Sequence, residues 1–265
     1  MHSKQGFAFE VPYIIYLLDE INKGCNTKEK MKDELGIGKN KVDVEIEWLR
    51  FIQAIDFENQ EIVLTPLGKF YLKVKYNDEF LEPILLYYLL RNPYLENNNG
   101  HFYYSTLVNE IFYEMLFEYR DKITTDEIRE KFLLIDGNKN NLKFVAAALT
   151  GITDSQVGFG KIGIVEKIDK EYEVHSYWVE PLVAAYIIYD LWEENMVAKS
   201  IKEIETEKYH IGRMFLMDED TVRETLEEIQ ALKLITIETI AGLNQVRINP
   251  NITKEDILNM IIKEA

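Results

Sequence analysis

Apolar residues recur at helical spacing in several stretches of the chain, and between them lie short alternating segments bounded by polar turns. Val11 to Lys23 (VPYIIYLLDEINK) reads as an apolar helix stopped by Gly24, and Thr27 is placed to cap a second helix, Lys28 to Leu35. Leu35-Gly36-Ile37-Gly38-Lys39-Asn40-Lys41 then forms a glycine turn leading into a long helix that runs to Ala54. Glycine at Gly36 and Gly38 permits the positive φ of a sharp turn, and Asn40 is positioned to cap the amides that follow. Ile46, Leu49 and Ile52 give this helix a core face. A second apolar set, Val44, Trp48, Phe51 and Ile55, predicts burial on two sides. Ile55–Phe57 and Glu61–Leu64 alternate around the polar turn Glu58-Asn59-Gln60, and Thr65-Pro66 opens another helix.

The same grammar continues downstream. Asp78 to Leu90 and Thr106 to Tyr119 read as aromatic-rich helices, joined by the polar segment 92–100. Thr124-Thr125-Asp126-Glu127 is a capping box for a helix to Leu134, and Asn141 to Thr150 is a further helix with Phe144, Val145, Ala148 and Leu149 inward. Gly163–Ile168 and Tyr172–His175 form a hairpin around Asp169-Lys170, followed by a helix from Glu180 to Asn195. Ser200–Glu207 predicts a short helix and Arg213–Leu216 an extended piece. A helix capped by Asp218 or Asp220 then runs to Leu232. Leu234–Glu238 and Asn244–Ile248 make a third hairpin turning at Ala241-Gly242, and Thr253–Lys263 closes the chain as an amphipathic helix.

These elements predict a mainly α fold with short β-hairpins, arranged as multiple winged-helix modules (helix-turn-helix plus wing) around a helical middle. The expected division is 1–76, an N-terminal winged-helix domain; 77–122, a helical aromatic connector; 123–195, a second helix–hairpin module; and 196–265, a C-terminal winged-helix-like module. No sequence identity relates the modules to one another.

Charge narrows where nucleic acid would bind. The 265 residues carry a net charge of −16, which disfavours nonspecific attraction to phosphates. Residues 1–76 are the exception, with 11 Lys and Arg against 12 Asp and Glu. Lys39, Asn40 and Lys41 at the start of the long helix, with Arg50 further along, are therefore the candidate DNA-binding residues, and Gly36 and Gly38 shape the turn beneath them. Asp43, Glu45 and Glu47 are expected on the exposed face of the same helix, where they would oppose phosphates. A helix-turn-helix reused for protein contact is an equal alternative.

Catalytic chemistry is hard to find. His2, His101, His175 and His210 are scattered without a second ligand at metal spacing, and the single cysteine, Cys25, excludes an internal disulfide and cysteine-rich zinc sites. Gly36-Ile37-Gly38-Lys39 lacks the spacing of a P-loop. Gly158, Gly160 and Gly163 suggest a mobile wing or turn rather than a phosphate cradle. The rings between Tyr87 and Tyr119 offer either a base-stacking platform or an interdomain core. Because a phosphate-tracking groove would need several interleaved cations and Arg91 alone falls among these rings, the core reading is preferred. The expectation is a non-enzymatic protein with no cofactor and no metal. It is expected to be cytoplasmic, without signal peptide or membrane span: the longest apolar run, Ile84 to Leu90, is far too short to cross a bilayer.

The stretches LGIGKNKV (Leu35–Val42), WL (Trp48-Leu49), LTPLG (Leu64–Gly68), FLEPILLYYLL (Phe80–Leu90), DEDTVRETLEEIQ (Asp218–Gln230) and IAGLNQVRI (Ile240–Ile248) resemble the bacterial family of domain of unknown function 4007, over nearly the whole chain. That resemblance implies a setting in anti-phage loci beside sulfurtransferase-like (PAPS-reductase-like) DNA phosphorothioation genes, with no assigned biochemical activity. Asp43 and Glu45 stand where the resemblance would lead one to expect basic residues. Sequence and resemblance together suggest an accessory or regulatory protein of a DNA-modification or defence system. It would contact DNA, or position a protein partner from the same locus on it. The alternative is an acidic scaffold that binds proteins without touching DNA.

Overall fold

The computed structural model describes residues 9–91, 99–117, 122–240 and 243–265. The chain opens with helices α1 (Val11–Asn22), α2 (Lys28–Leu35) and α3 (Lys39–Phe51), the hairpin strands β1 (Ile55–Glu58) and β2 (Glu61–Leu64), and α4 (Pro66–Lys73). The middle holds α5 (Asp78–Leu90), then α6 (Asn99–Thr106), a π-helical segment Leu107–Phe112 and α7 (Tyr113–Phe117). Next come β3 (Lys122–Thr124), α8 (Thr125–Asp136), a 3₁₀ turn Lys139–Asn141, α9 (Leu142–Thr153), β4 (Val165–Ile168) and β5 (Glu171–Val174). The last third contains α10 (Pro181–Asp190), β6 (Lys199–Ser200), α11 (Ile201–Thr206), α12 (Ile211–Met214), α13 (Glu219–Ala231), β7 (Ile235–Ile240), β8 (Leu243–Ile248) and α14 (Lys254–Glu264). The protein is thus mostly helical with small antiparallel sheets.

One local arrangement occurs three times. A Thr or Ser caps a helix through its side chain: Thr27 bonds the Lys30 amide, Thr124 the Glu127 amide and Ser200 the Glu203 amide. At Thr124 and Ser200 the Glu returns a bond to the cap residue's own N–H, completing a capping box. Further helices follow, then a residue at positive φ: Gln53 (53°), Gly163 (73°) and Lys233 (62°). The hairpin after it is closed at its base by one hydrogen bond. Thr65 N–H donates to Ala54 O (3.1 Å), His175 N–H to Ile164 O (2.9 Å) and Asn249 N–H to Leu234 O (2.9 Å).

Each hairpin is also hydrogen-bonded to the stretch before its capped helix. β3 pairs with β5 and β6 with β8, giving the strand orders β3-β5-β4 and β6-β8-β7. In the first unit Ile62 N–H donates to Asn26 O at 2.8 Å. These third strands were not anticipated from sequence, because two or three residues carry no periodicity of their own and pair only across long sequence gaps.

The core lies where the units meet. Phe80 to Leu90 of α5 and Leu182 to Tyr189 of α10 are buried on all sides, and the Tyr88 and Tyr186 hydroxyls meet at 2.6 Å. Asp190, at the end of α10, accepts from the Tyr87 hydroxyl (2.6 Å), Arg91 (2.6 Å) and Lys254 (2.7 Å). Arg213 ties α12 to the π segment, donating to Asn109 O at 2.7 Å and pairing with Glu110 at 3.1 Å.

Several expected details change. Residues 211–214 are helical rather than extended, and Met217 N–H donates to Gly212 O at 2.8 Å where the chain turns after them. The helix expected to reach Asn195 ends at Asp190. Of the two readings for Gly158 and Gly160, wing or turn, the turn is the one formed, and it is tightly packed: a Cβ on Gly158 would sit 2.1 Å from Gly151 O, and one on Gly160 2.4 Å from Thr153 O. Val11 N–H also fastens this loop to α1 through Val157 O at 2.7 Å. The turn at Ala241-Gly242 and the segment 92–98 lie outside the described residues. No described helix is long and apolar enough to cross a membrane.

Candidate functional site

The turn between α2 and α3 is built as two different corners. Gly36 ends α2 at φ 65°, the left-handed conformation that glycine adopts without a Cβ penalty. Gly38 sits at φ −60° and ψ 145° as the residue before α3, so the positive φ expected there is absent. Asn40 lies inside the first turn of α3 and does not cap it; no side chain caps this helix. The helix therefore begins at Lys39 with its lysines already on the helical path.

Helical geometry then decides which candidates share a surface. At about 100° per residue, Val42, Ile46 and Leu49 point one way, and Val44, Trp48 and Phe51 another. Both sets are buried, as expected. Trp48 rests edge-on against Phe9 (5.6 Å), Phe51 (5.3 Å) and Tyr104 (5.9 Å). The strip left open carries Lys39, Asn40, Asp43, Glu47 and Arg50. Lys39 and Arg50, eleven residues apart, are within about 20° of each other around the axis. Lys41 is on the opposite side, half-buried against α1, with its ammonium 4.1 Å from the centre of the Tyr13 ring. Tyr13 in turn lies 6.0 Å from Tyr16. The four residues proposed from sequence thus flank the start of α3 on two faces, with Lys39, Asn40 and Arg50 together and Lys41 apart.

The carboxylates on α3 are less repulsive than their number suggests. Asp43 is tied to Lys28 at 2.5 Å. Glu45 is not on the exposed face: α1 covers it, leaving 5% of its surface accessible. Burial pushes its carboxyl up to about 7, partly offset by Lys41. Burial also raises Glu47, which is half-buried. The open strip with its bonded Lys28 holds three cations against two carboxylates, one of which is already paired. At its far end Arg50 lies 6.0 Å from the ring of Phe57 on β1.

Cys25 is buried and burial raises its thiol, which leaves it a packing residue. His210 is 4% exposed, and burial pulls its imidazole down to about 3, so it is neutral. His175 is exposed, 3.8 Å from Glu166; His2 and the His101 side chain lie outside the described residues. Tyr87, Tyr88, Tyr103, Tyr104, Phe112 and Tyr113 are all buried, and the Tyr104 hydroxyl accepts from Phe9 N–H at 2.9 Å. These six rings are interior and cannot reach a base to stack on it, while Tyr94, Tyr119 and the side chains of Phe102 and Phe117 lie outside the described residues. Among the described residues no three His, Cys, Asp or Glu side chains are grouped to hold a metal ion. The sequence reading missed Tyr13 and Tyr16 as neighbours of the candidate surface. The signal that could have found them is their i, i+3 spacing at the polar edge of an apolar helix.

The model of the family described as "Protein of unknown function (DUF4007)" matches residues 156–262. That match bears out the family resemblance for α13 and the last hairpin, while LGIGKNKV and LTPLG fall outside it. No curated protein matches the chain. Two solved structures share its fold. One, "SspB crystal structure", has 13% identity and a TM-score of 0.74, covering 97% of this chain and 86% of the other. The second, "Magnesium ion-bound SspB crystal structure", has 14% identity and a TM-score of 0.66, covering 98% and 94%. At such identities the likeness is one of fold.

Proposed function

With residues 156–262 assigned to the DUF4007 family, we propose that this protein is a non-enzymatic accessory or regulatory subunit of a DNA-modification or anti-phage defence system. Its three capped helix–hairpin units act as winged-helix modules, and the first contacts DNA or positions a partner enzyme on it. One observation carries the reading: the face of α3 left open by two-sided burial presents Lys39, Asn40 and Arg50, with Asp43 neutralised by Lys28. Phosphates engage Lys39 at the start of the helix, where its unpaired amides also favour anions, and Arg50 further along. The defence setting rests on the family resemblance of the sequence. The magnesium ion belongs to that neighbour's structure, and the proposal assigns no metal or catalytic residue here.

A gel shift with duplex DNA at roughly 50 mM and 200 mM salt tests it, because phosphate-mediated binding weakens steeply with salt. Lys39→Glu combined with Arg50→Glu is expected to lower the salt slope by about 2, one unit for each phosphate that is no longer neutralised. Binding that ignores both salt and this double variant places the DNA surface elsewhere.

A second reading is favoured by the opposite end of the chain. Glu219, Asp220, Glu224, Glu227 and Glu228 are exposed on α13, a surface suited to a basic protein partner. A tagged pulldown from the native host should return the product of a neighbouring gene; recovery of this chain alone counts against a scaffold.

A further inference from the structure

The first unit carries a surface that neither the charge pattern nor the family match accounts for. Tyr13 and Tyr16 lie one helical turn apart on α1, with ring centres 6.0 Å apart and planes inclined by only 29°. Tyr13 is half-buried, held from the α3 side by the Lys41 ammonium. Tyr16 is 44% exposed, so it contributes little to the core beneath it. A stacked aromatic pair with a cation at one end is the elementary unit of a single-strand binding surface: the ring takes a base, the ammonium takes its phosphate.

Resting on the DNA-contact reading above, we propose that Tyr16, backed by Tyr13, is a stacking platform for an unpaired base of single-stranded DNA whose adjoining phosphate is held by Lys41. Glu10, just before α1, is an acid within electrostatic reach of Tyr13, so the phosphate path leaves the platform on the Lys41 side. The two α1 carboxylates beyond Tyr16 are already engaged, Asp19 with Lys75 at 3.1 Å and Glu20 with Lys23 at 2.8 Å. Glu45 below Lys41 is shielded by burial. Single-stranded DNA is selected over duplex because a duplex hides its base faces in the stack and presents only edges in its grooves. The platform is also separate from the Lys39–Arg50 strip, since Lys41 and α1 lie across the helix from Arg50. The start of α3 therefore joins two surfaces, a strip for duplex backbone and a platform for an exposed base.

Fluorescence anisotropy on the full chain separates the two. The probes are labelled oligothymidine of about 16 nucleotides, the upper site size for one small binding module, and a duplex of equal length. Tyr16→Ala is expected to weaken oligothymidine binding about 10-fold and to leave duplex binding within about 2-fold, while Tyr16→Phe, which keeps the ring, retains both. Lys41→Glu weakens oligothymidine binding and is the control for the phosphate path. Circular dichroism confirms that the variants remain folded. Equal weakening of both probes by Tyr16→Ala, or no change in either, overturns the platform but leaves the Lys39–Arg50 strip standing. Absence of binding to both probes by the unaltered protein overturns the platform and the DNA-contact reading together.

Discussion

The first and third helix–hairpin units share a backbone plan and spend their side chains differently. In both, a helix leads through a left-handed residue into a longer helix, and a second left-handed residue leads into the hairpin. The first left-handed residue is Gly36 (65°) before α3 and Leu216 (54°) before α13. Gly36 is exposed, and a Cβ there would meet nothing within 4 Å, so only its φ demands glycine. Leu216 is fully buried, so the packing of its side chain offsets a conformation that costs a non-glycine residue about 1–2 kcal/mol. The two long helices differ in the same sense. α3 is clamped on two sides and keeps a narrow strip with Lys39 and Arg50, whereas α13 buries one face, Val222, Thr225, Leu226 and Ile229, and turns a broad acidic face outward. A backbone plan repeated within one chain therefore does not carry its surface chemistry with it. What each unit can touch is set by which flank its neighbours cover.

The contrast is most exposed at Trp48. Trp48→Ala removes the ring that joins α3 to Phe9, Phe51 and Tyr104 and should cost about 3–5 kcal/mol in urea unfolding, while Glu227→Ala on the open face of α13 should stay within about 0.5 kcal/mol. A Trp48→Ala cost below about 1 kcal/mol would mean that the second flank of α3 is not a core, and the two helices would then be alike.

Next in size is a pH effect confined to α3. Glu45 has its folded carboxyl raised from 4.5 to about 7 by burial, so between those values the native state holds more protons than the unfolded chain. Stability should fall as pH rises from about 4.5 to 7, by up to roughly 3 kcal/mol, and Glu45→Gln should flatten that part of the profile. Glu82, raised to about 7 by burial in α5, adds a slope of the same sign that survives in the variant. Glu227→Gln on α13 should leave the profile unchanged. The smallest effect concerns the turn. Gly36→Ala should cost about 1–2 kcal/mol because of its positive φ, whereas Gly38→Ala, at φ −60° with open space around it, should be nearly neutral. Equal costs at the two glycines would show that φ does not govern this corner.

Local signals in the sequence were good guides to local structure. Thr27, Thr124, Thr253 and Thr65-Pro66 announce helix starts through side-chain caps, and all four do so in the fold. The two apolar sets on α3 likewise state its double burial. What was not legible depends on distant parts of the chain. Glu45 looked exposed because nothing in α3 says that α1 lies over it. β3 and β6 exist only through partners more than forty residues away. Residues 211–214 form a helix too short to show a period. The candidate surface was half readable for the same reason: Lys39 and Arg50 share a face by helical arithmetic alone, while the company of Lys41 and Tyr13 required the packing of two helices.

The single bond that closes each hairpin at its base has a practical meaning for engineering. It fastens the strands before they leave the body, so the tip at Asn59-Gln60 is insulated from the interior, whereas Lys170 O at the second tip accepts from Thr125 N–H at the start of α8. The first tip is a natural socket for grafted loops, fluorophores or affinity peptides, accepting added length without disturbing the helices behind it.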